Sequence, residues 1–392
     1  MRSDRYVHVP SPWKAAIGMR TAAPARFYTE LVAQALRYGL PAKHRFGAAY
    51  AAAARSSAFP ARAIARSLRR VPKRDRPDLD SMIRSVSERW TELAAESVRL
   101  DTATPPDSAL ALERSAGLTV FLFAGDDHHP LVVAKVPPEG DDRVDLEVRA
   151  LQAAASSGVA PRFLGTVAGA RVQEGIPGAP LPVVPTGPKT AESLWWQPLH
   201  GEVGNTLSKL AEATAAPGMS WELNEDSMKA ALAYDMPTKV RDRVHNAYRD
   251  AVRVDVTVLR HVDTSPQNCL LHRQPPGVSL VDWEIARFEG VPGFDLLTAA
   301  LSYMEHGVGL QRWSEDLIVE TFEIAWSRSH YWKTARTAIR QTMSAAGVDD
   351  KSHDALELLF FAQRVGLRVT RPDYFPTSAD MAARMLNVVA RD

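Results

Sequence analysis

Three things are scarce in this sequence of 392 residues. Cysteine occurs once, as Cys269, so no intrachain disulfide and no cysteine-built zinc site can form. The expected compartment is therefore a reducing one, the cytoplasm. No stretch approaches the roughly 18 uninterrupted apolar residues of a membrane-spanning helix. The first ten residues, with Arg2, Asp4 and Arg5 ahead of Tyr6-Val7-His8-Val9-Pro10, lack the apolar core of a secretory signal. Acidic residues are nearly missing from residues 1–75, which hold 3 of them against 15 Lys and Arg.

What is present is an average globular composition, 45% hydrophobic and 24% charged. The length suggests two or three folding units. The overall net charge of +1 conceals a division, because the basic first 75 residues are balanced by an acidic remainder. Solvated helices leaning on an acidic domain explain it most simply. An anionic membrane surface or an acidic partner is the sharper alternative. Nucleic acid is not expected, since neither a zinc-finger spacing nor an RNA-binding aromatic signature accompanies the charge.

Periodicity predicts helices at 24–39, 48–55 and 61–70, then a proline-bounded linker at 71–77. Leu79, Ile83, Val86, Trp90, Leu93 and Ser97 follow at helical spacing, so a helix packed on the next domain is expected. The texture then turns to strands at 109–113, 118–124 and 131–136, a helix at 144–155, and further strands at 161–167 and 171–176. A Pro/Gly-rich stretch runs from Pro177 to Pro188. From Leu199 onward the pattern is mainly helical, interrupted at 258–296. The fold class expected is α+β, with a small antiparallel β lobe, a larger mainly helical lobe and an N-terminal helical extension. The domains expected are a basic extension at 1–100, a nucleotide-binding lobe at 101–178, and a lobe carrying the catalytic loop and acceptor site at 179–392.

The chemistry concentrates in His261-Val262-Asp263-Thr264-Ser265-Pro266-Gln267-Asn268, followed by Cys269-Leu270-Leu271 and Ser279-Leu280-Val281-Asp282-Trp283-Glu284. Phosphoryl transfer from ATP needs a carboxylate to orient the attacking hydroxyl and oxygen ligands for magnesium. Asp263 suits the first task, and Asn268 with Asp282 suits the second. The apolar runs 269–271 and 278–281 can pair as a hairpin that brings Asn268 and Asp282 together at its open end.

These motifs resemble the aminoglycoside phosphotransferase-like branch of the protein-kinase-like fold, whose pattern is His-Gly-Asp-x-x-x-x-Asn, an apolar strand, and Ile/Val-Asp-Trp-Glu. The later Gly290-Val291-Pro292-Gly293-Phe294-Asp295-Leu296 resembles the family's Asp-Leu pair, which implies a buried structural role for Asp295 in bracing the catalytic loop. The resemblance places His261 with Asp263 among the catalytic residues of that loop. Taken alone, His261 is more simply a structural histidine that hydrogen-bonds the loop. Two positions depart from the pattern: Val262 replaces the usual Gly, and Ser265 a residue that is often His. The resemblance further implies ATP and Mg²⁺ as cofactors. Lys135 would contact the α/β-phosphates and Glu147 would be its ion-pair partner, with Asp145 the competing choice. Gln173, Glu174, Gly175 and Ile176 would form the hinge whose backbone binds adenine. The phosphate loop, 113–119, has a single glycine and neither the Walker nor the protein-kinase glycine pattern.

Each residue also has a plainer role. Lys135 and Glu147 alone would be solvated charges. His128 and His129 read as a turn without a third metal ligand, and Cys269 as a small core residue. The acceptor pocket is expected after Asp295, where Tyr303, Glu305, Trp313, Glu315, Asp316, Glu320, Glu323, Trp326, Tyr331 and Trp332 could receive a cation or sugar. Core packing and a solvated acidic face are the favoured account of most of them. The expected activity is transfer of the ATP γ-phosphate to a hydroxyl of a sugar, aminoglycoside-like or amino-alcohol acceptor. A nucleotide-binding scaffold without transfer, or a membrane-surface kinase of a lipid-linked sugar, are the alternatives.

Overall fold

A computed structural model describes residues 6–9, 14–18, 79–114, 117–125, 127, 129–138, 140, 143–180, 199–218, 226–273, 276–308, 315–328, 330–372 and 377–391. The helices expected at 24–39, 48–55 and 61–70 lie outside them. The chain divides into two compact units, one formed by Met1–Ala155 with Ala160–Pro180, the other by Ser156–Val159 with Leu181–Asp392.

Alternating apolar and β-branched residues make the first unit a sheet. Its strands are β1 (Tyr6–Val9), β2 (Lys14–Gly18), β3 (Ser108–Arg114), β4 (Gly117–Phe123), β5 (Val132–Val136), β6 (Phe163–Val167) and β7 (Ala170–Glu174). They lie in the order β1-β2-β3-β4-β5-β7-β6, and every neighbouring pair is antiparallel. The five strands expected between 109 and 176 are all present. β1 and β2 add an antiparallel pair beside β3, from a stretch given no element type by its sequence pattern. Helix α3 (Arg143–Ala154) connects β5 to β6.

The amphipathic stretch after the linker forms two helices rather than one, α1 (Leu79–Glu88) and α2 (Trp90–Ala95), interrupted at Arg89, whose φ of −102° and ψ of 11° leave the helical region. Its apolar face does what the spacing predicts. Val86, Trp90, Leu93 and Ala94 are buried against Ala109, Ala111, Val120, Leu122, Val132, Ala134, Leu164 and Val172. Fully burying side chains such as Val86 and Leu93 contributes about 1.5–3 kcal/mol each.

The second unit is helical around two short β-pairs. Its elements are α4 (Gly204–Thr214), α5 (Asp226–Ala233), α6 (Thr238–Ala251), β8 (Val258–Arg260), β9 (Cys269–Arg273), β10 (Pro276–Leu280), β11 (Arg287–Gly290), α7 (Phe294–Val308), α8 (Glu315–Arg328), α9 (His330–Ala345), α10 (His353–Thr370) and α11 (Ala379–Val389). β9 pairs with β10, and β8 with β11. Helix α10 is the core of the unit, with Leu356, Leu359, Ala362 and Val365 fully buried. It crosses α5 so closely that a Cβ at Gly366 would stand 1.5 Å from the Ser227 carbonyl oxygen, a contact only glycine permits. Among the described residues no helix is long and apolar enough to cross a membrane.

Candidate active site

In the first unit, adjacent strands present two bases to one helix. Lys135 on β5 and Arg171 on β7 are directly paired across the ladder, so they share a face of the sheet. The Nζ of Lys135 lies 2.6 Å from Glu147 Oε1 on α3, with Glu147 only 2% exposed. Arg171 donates from Nε and Nη2 to Asp145 Oδ1 at 2.9 and 2.7 Å. The choice left open between Glu147 and Asp145 is thereby resolved: Arg171, a residue the sequence reading missed, engages Asp145, and Glu147 pairs with Lys135.

At the end of β7 the side chains of Gln173, Glu174 and Ile176 are buried. The amide of Glu174 donates to Arg162 O at 2.9 Å and that of Gly175 to Leu131 O at 2.8 Å. Among residues 174–176, Ile176 therefore keeps the one amide not engaged within the described residues. The Glu174 carboxylate is consumed by the Ser97 hydroxyl and the Arg162 amide, so this residue offers backbone and not side chain. Most of the expected phosphate loop is strand, because Arg114 and Gly117 are already paired across β3 and β4.

In the second unit, residues 261–268 form a loop held by one carboxylate. Asp295, in the first turn of α7, accepts Arg260 Nε at 3.1 Å, the His261 amide at 2.6 Å and the Val262 amide at 3.0 Å. Thr264 Oγ1 donates to the Asp295 carbonyl oxygen at 2.6 Å. Asp295 is 6% exposed and Arg260 5%, and the Arg260 guanidinium also lies 5.2 Å over the Phe294 ring. The sequence reading missed Arg260, although a charged residue flanked by apolar ones in a strand requires a partner.

Val262 has φ +72° and Asp282 φ +71°. The left-handed region strains a β-branched residue by about 1–3 kcal/mol, which explains why the related pattern has glycine at this position. Here Val262 is kept there by the Asp295 clamp.

The expected hairpin forms. Cys269 pairs with Leu280, and the Val281 amide donates to Asn268 O at 2.9 Å. Asn268 Nδ2 donates to Asp263 O at 3.1 Å. Asp263, Asn268 and Asp282 thus belong to one connected neighbourhood. His261 is fully buried. Its Nε2 donates to Val281 O at 2.9 Å and its ring meets Trp283 edge-on at 4.6 Å. That enclosure makes His261 a brace between the two halves of the site, a correction to its expected place among catalytic groups. Burial pushes the Cys269 thiol up, and the carboxylates of Asp263 and Asp295 add to the effect.

Among the described residues no group of three or more His, Cys, Asp and Glu could hold a metal ion. Asn268 and Asp282 offer an amide oxygen and a carboxylate. Because the amide nitrogen of Asn268 is engaged by Asp263 O, its Oδ1 is the atom left to ligate. One carboxylate and one amide fit magnesium, which keeps waters and phosphate oxygens in its shell.

Of the residues considered for the acceptor, Tyr303, Trp326 and Trp332 are buried. Trp326 and Trp332 stack with Phe322 and Phe361 as core. Glu315, Asp316 and Glu323 on α8 bind Ser378, Arg384 and Arg391. These are packing and helix-face roles. Trp313 lies outside the described residues, as do the side chains of Glu305 and Tyr331.

The kinase-like α+β fold and the family match together define a small-molecule phosphotransferase. Residues 108–331 match the phosphotransferase enzyme family known as APH, and the chain belongs to that family. No curated protein matches it. Solved structures similar to it include a Ralstonia eutropha JMP134 protein assigned to the aminoglycoside phosphotransferases (14% identity, 81% of this chain and 99% of that one, TM-score 0.49). Two others are macrolide 2′-phosphotransferase MphH from Brachybacterium faecium (14%, 79% and 98%, 0.42) and choline kinase LicA from Streptococcus pneumoniae (14%, 70% and 90%, 0.39).

Proposed function

We propose that the chain transfers the γ-phosphate of ATP, with Mg²⁺, to a hydroxyl of a sugar, aminoglycoside-like or amino-alcohol acceptor. The observation that carries this is the loop of Asp263 and Asn268, held by Asp295 through two consecutive amides and bonded through Asn268 O to the amide of Val281, next to Asp282. Asp263 orients the acceptor hydroxyl and takes up its proton. Asn268 and Asp282 hold the magnesium ion, which supplies positive charge to the phosphate oxygens when bound. Lys135, aimed by Glu147, holds the α/β-phosphates. The backbone at 173–176 receives the adenine edge. His261 transfers no proton in this scheme and serves to brace the loop.

Asp263→Ala tests the assignment. The variant should bind MgATP with affinity within a few fold of wild type while acceptor-dependent ATP consumption falls at least ~10³-fold. Products from a panel of sugars, aminoglycosides and amino-alcohols, weighed by mass spectrometry, identify the acceptor. Turnover unchanged in the variant would refute the role of Asp263.

A further inference from the structure

Glu174 ends β7, where the chain leaves the sheet for Gly175 and Ile176. It is 7% exposed. One carboxylate oxygen is hydrogen-bonded to the Ser97 hydroxyl, and the other accepts the Arg162 amide at 3.2 Å. The next residue is equally constrained, because a Cβ at Gly175 would stand 1.8 Å from the Pro130 carbonyl oxygen. The backbone that presents the Ile176 amide is thus pinned from Ser97, from Pro130–Leu131 and from Arg162.

Ser97 is itself held in place. Its Oγ accepts the Arg99 amide at 3.0 Å, and its own amide donates to Ala94 O at 3.1 Å. The turn that follows is closed by Asp101, whose carboxylate accepts the Ala103 amide and the Thr104 hydroxyl at 2.9 and 2.7 Å. The Asp101 carbonyl oxygen is anchored by Trp90 Nε1 at 2.8 Å. Residue 97 precedes the 108–331 family match, within the stretch expected to be an appended extension.

We propose that Ser97 is a positioning residue for the nucleotide: its hydroxyl holds the Glu174 carboxylate, and through it the 174–176 backbone, in the setting that receives the adenine edge. This rests on the assignment of 173–176 as the adenine-binding hinge. A hydroxyl donating to a carboxylate is a charge-assisted bond. Without it a buried carboxylate lacks one donor, and its recovery of hydration displaces the backbone that carries it.

MgATP dissociation constants of the full-length protein, measured by isothermal titration calorimetry, test this without an acceptor. Ser97→Ala should weaken binding threefold to tenfold, and Ser97→Thr, which keeps the hydroxyl, should return it to within twofold of wild type. Ser87→Ala is the control. Ser87 Oγ donates to Pro106 O at 3.2 Å, so its loss loosens the same segment without touching Glu174; a lower urea midpoint with wild-type affinity is expected. Wild-type affinity in Ser97→Ala, or equal weakening in Ser97→Ala and Ser87→Ala, overturns the proposal. Should Ser97→Ala not fold, Glu174→Gln replaces it with the same expected weakening, and wild-type affinity there overturns the proposal equally. A wild-type protein that binds no MgATP at millimolar concentration overturns the hinge assignment as well.

Discussion

The Asp295 carboxylate accepts the amide of Val262 at 3.0 Å while Val262 stands at φ +72°. A strained loop and the carboxylate that restrains it are therefore directly bonded. Asp295→Ala removes that restraint and breaks the buried ion pair of Arg260 with Asp295. Breaking a buried pair in this way costs about 3–5 kcal/mol. Urea unfolding should show a loss of that size, and acceptor-dependent turnover should fall at least tenfold even where the variant is fully folded. A loss below ~1 kcal/mol would mean that the clamp does not hold the loop.

Val262→Gly probes the same relation from the other side. Glycine adopts a positive φ without strain, which offsets the backbone entropy and side-chain contacts that valine supplies. Stability within ~1 kcal/mol of wild type and undiminished turnover are expected. Val262→Ile retains the β-branch and should behave like wild type, whereas turnover lost in Val262→Gly would show that the valine side chain itself takes part.

Lys135 and Glu147 are 13% and 2% exposed, and Arg171 and Asp145 are 27% and 60%. That difference ranks the two pairs. Lys135→Ala takes the ammonium group away from buried Glu147, so a stability loss of about 3 kcal/mol and a rise of at least tenfold in the MgATP dissociation constant are expected. Arg171→Gln breaks an exposed pair worth about 0.2–1 kcal/mol, so its effect on affinity should stay within about fivefold. The reverse ranking would show that the exposed pair sets the position of α3.

Much of this was legible in the sequence. The strands between 108 and 174 showed as short β-branched runs. The hairpin of β9 and β10 showed because two apolar runs were separated by a turn, and so did the approach of Val281, the neighbour of Asp282, to Asn268 at its end. These are local signals, in which periodicity and spacing carry the information. The partner of Lys135 was not settled, since both Asp145 and Glu147 lie within reach along the chain and the choice depends on Arg171, whose position beside Lys135 follows from the strand order β5-β7-β6. The tie from Ser97 to Glu174 spans 77 residues, and no sequence period relates two residues at that separation. His261 matched the motif by type, but its burial and its bond to Val281 are consequences of packing against Trp283.

Glu357 on α10 supplies a pH-dependent test of the helical unit. It is 3% exposed. Its Oε2 accepts Arg336 Nε at 3.0 Å, while its Oε1 has no hydrogen-bond partner among the described residues. Burial raises its pKa above the ordinary carboxylate range, against the opposing pull of Arg336. A carboxyl whose folded pKa is raised favours the fold when protonated. That contribution is fully present below the unfolded value near ~4.3 and is lost as pH rises through the folded value. Glu357→Gln stays uncharged throughout. Its unfolding free energy relative to wild type should therefore climb as pH rises above about 4 in urea titrations. A relative stability that falls over that range would show the ionised Glu357–Arg336 pair to be net stabilising.

Cys269 turns the 261–268 loop into its own reporter. The thiol is fully buried at the start of β9, with Sγ 3.8 Å from Thr264 O, and burial followed by the nearby Asp263 and Asp295 carboxylates pushes its pKa up. The thiolate is the species that reacts. Alkylation at pH 8 thus requires both an opening of the loop and an ionisation that the closed loop opposes. Iodoacetamide should label native protein at least ~100-fold more slowly than urea-unfolded protein. Asp295→Ala, which frees the loop amides, should narrow that gap at protein concentrations and temperatures where the variant is folded. Labelling of the native wild type at the unfolded rate would place Cys269 outside the core. A gap unchanged in Asp295→Ala would show that the loop stays closed without its clamp.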